Sequence, residues 1–224
     1  MTYLDLARQA IDELNPELTE QFLAVAEFSQ VEPTLAVTRR KTKANPKPST
    51  CDLEHYRFLA TKFCNGHNRG ELPQPGTIPD PALSIVMRYG YSVAEQNLSE
   101  LIEGHRIAMV AENMVGDLLE RYLNSVLNGA WVWCAGEVVK HVDFIQRPSE
   151  PGAPWKALQI KNRDNSENSS SSAIRKGTSI LKWYRTKSRT GATMWDCFPV
   201  DTEQKILSEE GFQNFVRDLL QDTD

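Results

Sequence analysis

Apolar positions recur at three- and four-residue spacing through residues 3–28, YLDLARQAIDELNPELTEQFLAVAEF, with one break at Asn15-Pro16. That period marks amphipathic helix, and proline opens a helix more readily than it continues one, so the stretch predicts an N-terminal helical hairpin. The period is lost over 38–50, where two prolines and the bases Arg39, Arg40, Lys41 and Lys43 predict a loop. It returns at 51–64, CDLEHYRFLATKFC, as a short amphipathic helix, and the Gly/Pro-rich run from Gly66 to Pro81 predicts a second long connection. From about Leu98 to Leu127 the spacing of Ile107, Val110, Met114, Leu118, Tyr122 and Val126 predicts one long core helix, stopped at Asn128-Gly129.

The period then changes. WVWCA (131–135), GEVVKHVDFI (136–145) and APWKALQIKN (153–162) are short, rich in β-formers and separated by Gly or Pro, which predicts consecutive strands of a largely buried sheet. SAIRKGTSILKWYRT (172–186) predicts a helix around its middle, TMWDCFPV (193–200) another strand, and SEEGFQNFVRDLL (208–220) a closing helix capped by Ser208. The order predicts an α/β core with a mixed sheet over 85–224, and a helical and looped region over 1–84 packed on it.

Composition changes the picture little. With 224 residues, 40% hydrophobic and 25% charged, the chain suits a single catalytic domain, and no stretch reaches the roughly 20 apolar residues of a membrane span. The first thirty residues lack the basic and apolar regions of a secretory leader, which predicts a cytoplasmic protein with no membrane association. The cysteines at 51, 64, 134 and 197 do not form a disulfide pattern and are read as free thiols.

Charge is more informative. The net charge is −5, yet residues 156–191 hold nine Lys or Arg against two acids, and residues 38–62 hold seven against two. Two basic segments on an acidic chain are an electrostatic footprint for a polyanion, since each phosphate neutralised releases a counterion. A solvated charged surface is the plainer reading of either segment alone.

Asp143 falls near the end of one predicted strand, and Gln159 and Lys161 share a face of the next, because strand side chains alternate with period two. A carboxylate beside a second oxygen donor suits a hard cation such as Mg2+, and a lysine beside them can offset charge developing on a phosphate. The pattern resembles the PD-(D/E)xK nuclease superfamily, with His141-Val142-Asp143 as its first element and Gln159-Ile160-Lys161 as its second. It departs twice: no proline precedes Asp143, and glutamine stands where an acid is usual. Members of that superfamily commonly aim a glutamate at the metal from the preceding helix. Glu112 and Glu120 both stand there, about 80° apart around the helix axis, and either suits the role.

Directly behind Lys161 runs KNRDNSENSSSSAIRK (161–176). Arg pairs with guanine, Asn with adenine and an acid with cytosine, so Asn162, Arg163, Asp164, Asn165, Ser166, Glu167, Asn168 and Arg175 compose a plausible base-reading segment, with Lys176 beside it. A flexible polar linker is the alternative. Arg39, Arg40, Lys41 and Lys43 are the corresponding phosphate-binding candidates at the other basic segment. The 161–175 run, joined to AENMVGDLLERYL on the long helix, is similar to the SinI/AvaII-like type II restriction endonucleases over roughly residues 85–200. The resemblance implies a restriction-endonuclease-like core and a Mg2+-dependent homodimer that cuts double-stranded DNA at a short palindrome of the form GGWCC, where W is A or T. It further implies Asp143, Gln159 and Lys161 as catalytic, a helix glutamate as a further metal ligand, and a separate DNA methyltransferase as a companion.

Other readings remain open. Basic patches and base-reading loops also suit a non-catalytic DNA-binding protein, and the catalytic residues also suit a repair or recombination nuclease of the same superfamily. Cys51, His55, Cys64 and His67 form C-x3-H-x8-C-x2-H, a candidate zinc set, against the simpler reading of small core thiols and partly exposed histidines. Trp131, Trp133, Trp155, Trp183 and Trp195 lie in or beside β-rich segments and read as core rather than as a base-stacking platform.

Overall fold

The Thr2 side chain accepts from the Asp5 amide while the Asp5 carboxylate accepts from the Thr2 amide, a reciprocal cap that opens helix α1 (Tyr3–Asp12). Asn15 and Pro16 then form a one-turn 3-10 corner leading into α2 (Thr19–Val31), so the predicted hairpin is present with its break where the proline stands. This computed structural model describes residues 1–40, 48–68, 72–76, 78–127, 129–150, 152–164, 179–199 and 207–221. Asp52 caps α3 (Leu53–His67), and α4 (Pro81–Ile85) runs on into a π-helical turn, Val86–Gly90. The long helix α5 spans Leu98–Leu127, as its period predicts. The closing helix α6 (Glu209–Gln221) starts where the Ser208 hydroxyl accepts from the Gly211 amide. No helix among the described residues is long and apolar enough to cross a membrane.

Among the described residues four strands form one sheet in chain order: β1 (Val132–Trp133), β2 (Phe144–Gln146), β3 (Lys156–Arg163) and β4 (Ile180–Thr186). The first three pair antiparallel and β4 joins β3 in parallel, which makes the sheet mixed. Together with the helices, this is the α/β architecture expected of a restriction-endonuclease core.

Three expectations need correction. The described part of 172–186 is strand, not helix: Ile180, Trp183, Tyr184 and Thr186 are β-formers, and a full register with β3 pays for their ordering. The described part of 193–200, residues 193–199, is not a strand. Thr193 makes one bridge to Thr186, and the chain then turns through a 3-10 segment, Trp195–Cys197, where the Trp195 indole donates to Glu209. Of GEVVKHVDFI, only Phe144 and Ile145 lie in the sheet, so Asp143 precedes its strand instead of ending one. The preceding residues form turns held by a bridge from Val139 to Ala36, with Gly136, Glu137 and His141 all at positive φ.

The chain forms two compact units, residues 1–69 with 120–224, and residues 70–119. In the first, Ile145 and Ala157 from one sheet face join a core with Ile11, Phe22, Phe28, Tyr56, Leu59 and Phe63 of α1–α3. The other face buries Phe144, Leu158, Ile160 and Trp183, and Trp183 continues into an aromatic cluster with Trp195, Tyr122 and Phe212. The tryptophans thus serve as core: four of the five are buried, and Trp155 packs edge-on against Phe28.

Candidate active site

β2 and β3 part company at Asp143. Its amide still donates to the Leu158 carbonyl and its carbonyl accepts from the Cys134 amide, but the next slot in the ladder is filled by its own side chain. Asp143 Oδ2 accepts from the Ile160 amide at 2.6 Å. The backbone of the following strand therefore fixes the carboxylate directly beside Gln159 and Lys161. The turns that lead into Asp143 hold two left-handed residues, Glu137 at φ 54° and His141 at φ 60°; left-handed residues other than glycine cost about 1 kcal/mol each. Burial pushes the Asp143 carboxyl up to about 6; the Ile160 hydrogen bond and the Lys161 charge pull it down, and the nearby Glu137 charge adds to the rise.

Alternation along β3 places Gln159 and Lys161 on the face that carries Ala157 and, across β2, Ile145. Gln159 is buried at 2% exposure, whereas Lys161 is half-buried where the strand leaves the core. In parallel register, β4 sets Lys182 beside Gln159 and Tyr184 beside Lys161. Sequence reading missed Glu137, Lys182 and Tyr184 as neighbours of the site. Only the strand register and the turn before Asp143 bring them there.

The two helix glutamates differ. Glu112 is exposed and belongs to the 70–119 unit, while Glu120 falls in the unit that holds the sheet. Glu120 Oε2 accepts from the Trp133 indole at 2.9 Å, and the fully buried Cys134 thiol lies close enough to both carboxylates that they add to the effect of burial in raising its pKa. Both carboxylates thus act on Cys134, and carboxylate oxygens are donors of the kind a Mg2+-sized cation selects. Among the described residues no three of His, Cys, Asp and Glu are grouped to hold a metal.

The same finding removes the zinc set. Cys51 is exposed ahead of α3, and His55 and His67 stand twelve residues apart on that helix, roughly 18 Å along its axis. His67 packs between Phe63 and Trp133, with Nδ1 against the Phe63 carbonyl. All four cysteines are free.

Of the expected DNA-contacting residues, Arg163 and Arg40 are exposed. Asn162 and Asp164 are built into the sheet edge: Asn162 Oδ1 accepts from Arg185, and Asp164 Oδ1 accepts from the Ser188 amide. Arg39 is committed to Asp52, donating to both carboxylate oxygens at 2.8 and 2.9 Å. Lys41, Lys43, Asn165, Ser166, Glu167, Asn168, Arg175 and Lys176 lie outside the described residues.

A family model described as SinI restriction endonuclease matches residues 4–222. The chain is 43% identical over 217 residues to the type II restriction enzyme Eco47I of Escherichia coli, covering 96% of this chain and 93% of that protein. It is 42% identical over 221 residues to the type II restriction enzyme SinI of Salmonella infantis, again covering 96% and 93%.

Proposed function

Since the chain belongs to the SinI restriction endonuclease family and is a site-specific deoxyribonuclease acting on double-stranded DNA, we propose that Asp143, Gln159, Lys161 and Glu120 form its catalytic centre. The observation that carries this reading is the Asp143 carboxylate bound to the Ile160 amide, between Gln159 and Lys161. Type II restriction enzymes generally need divalent metal ions, and Mg2+ is the ion that Asp143, Glu120 and the Gln159 amide oxygen would hold here. Glu120 supplies the second negative charge that Gln159 does not. When bound, the ion neutralises charge on the scissile phosphate and makes an attacking water acidic enough to ionise near neutral pH.

The chain's own residues do the rest. Asp143, immobilised by the β3 backbone, keeps its geometry while charge moves at the phosphate. Lys161 orients the attacking water and balances the negative charge that grows on the phosphate oxygens in the transition state. Buried Gln159 contributes an oxygen with no net charge. Two basic segments at 38–62 and 156–191 supply phosphate contacts that position the duplex, and the run from Asn162 to Lys176 reads bases within a palindrome of the form GGWCC. One such site cuts one strand, so the active species is a homodimer whose two-fold axis matches the palindrome. The enzyme works in the cytoplasm alongside a methyltransferase that protects the same sequence.

Plasmid digestion in Mg2+ tests the reading. Discrete fragments bounded by GGWCC are expected. A smear would favour a nonspecific repair nuclease, and retardation of the plasmid without cutting would favour a binding protein.

A further inference from the structure

Glu120 and Arg121 are consecutive on α5, and both address one indole. Trp133 is 3% exposed; its Nε1 donates to Glu120 Oε2 at 2.9 Å, and the Arg121 guanidinium lies over its ring, 5.3 Å from the centroid. Arg121 is itself anchored. Its two terminal nitrogens donate to the carbonyls of Gly66, His67 and Asn68 at 3.0–3.1 Å, where α3 ends and its last carbonyls lack helical partners. The His67 ring packs on the same indole at 4.9 Å. A helix terminus, a cation and an imidazole thus hold the Trp133 ring, and the ring holds the carboxylate.

An indole N–H is a donor with no acceptor capacity, so it addresses one carboxylate oxygen of Glu120 without adding a charge of its own. Outer partners of this kind typically govern metal affinity or activity by about 10–100-fold.

We propose that Trp133 is a positioning residue that sets the orientation of Glu120 for metal binding, with Arg121 fixing the indole; this rests on the reading of Glu120 as a metal ligand. Trp133→Phe keeps a ring and removes the N–H. Replacing Trp133 by benzothienylalanine, which exchanges N–H for sulfur in an otherwise similar shape, removes the donor with the least effect on packing. Mn2+ binding to each purified protein is read from the EPR signal of the free ion, with thermal melting as the control for folding. The expected result is a Mn2+ dissociation constant about tenfold higher than wild type in both variants. DNA cleavage should need correspondingly more Mg2+, with an unchanged KM for DNA. Glu120→Gln is measured in parallel. If Glu120→Gln loses Mn2+ affinity while the folded benzothienylalanine protein binds Mn2+ as wild type does, the role of Trp133 is overturned and that of Glu120 stands. If Glu120→Gln itself binds Mn2+ normally, both are overturned.

Discussion

Burial raises the Asp143 carboxyl from 3.8 to about 6, so without a cation the native state holds its proton more tightly than the unfolded chain does. The sign follows: Asp143 favours the native state fully below pH 4, and that contribution is lost as pH rises through about 6. Asp143→Asn removes the ionisation and keeps an oxygen for the Ile160 amide. In EDTA the variant should melt above wild type at pH 8, with the gap closing towards pH 4, and Mg2+ should stabilise only the wild type. A wild-type protein that melts higher at pH 8 without metal would contradict this. Asp143→Ala, in contrast, should abolish cutting while gel retardation of DNA remains measurable, since phosphate contacts elsewhere supply the binding.

At the scale of elements, the turn before Asp143 is seated on α3 by two glycines. A Cβ on Gly136 would lie 2.0 Å from the Lys62 carbonyl, at a residue with φ 74°, and one on Gly66 would lie 2.2 Å from the Gly136 amide. Gly136→Ala should cost about 3 kcal/mol in urea unfolding and reduce cleavage as Asp143 shifts; an unchanged midpoint would show that the contact is not tight. Helix α5 poses a sharper test. Glu120→Ala should lower the cleavage rate about a hundredfold or more, far beyond the effect of Glu112→Ala, and the reverse order would return the metal-ligand role to Glu112.

These elements also show what could be read beforehand. The hairpin α1–α2 and helix α5 were legible because apolar spacing over ten or more residues has one interpretation. Ile180–Thr186 was not: apolar residues at 180, 181, 183 and 184 fit a helix turn or a strand equally, and only pairing with β3 decides. TMWDCFPV has the composition of a strand, but an indole bond to Glu209 draws it into a turn. Asp143, Gln159 and Lys161 could be picked out because strand alternation is local. The proposal of Glu120 over Glu112 rests on its bond to Trp133, thirteen residues further along the chain, and helical angles contain nothing of that.

For the whole molecule, the acidic net charge and two basic segments mean that DNA affinity should fall steeply with salt while the protein stays soluble. A homodimer on a two-fold duplex predicts that sedimentation with a GGWCC duplex gives two chains per DNA; one chain per DNA at saturation would contradict it. Lys161 is half-buried and its charge acts directly on Asp143, which makes it the sharpest point of attack on the proposed site. The most direct measurement is digestion of one GGWCC-bearing plasmid, in Mg2+, by wild type and by Lys161→Ala at equal DNA occupancy. Discrete fragments from the wild type and intact plasmid from the variant are predicted; the same fragments from Lys161→Ala at the wild-type rate would contradict the site.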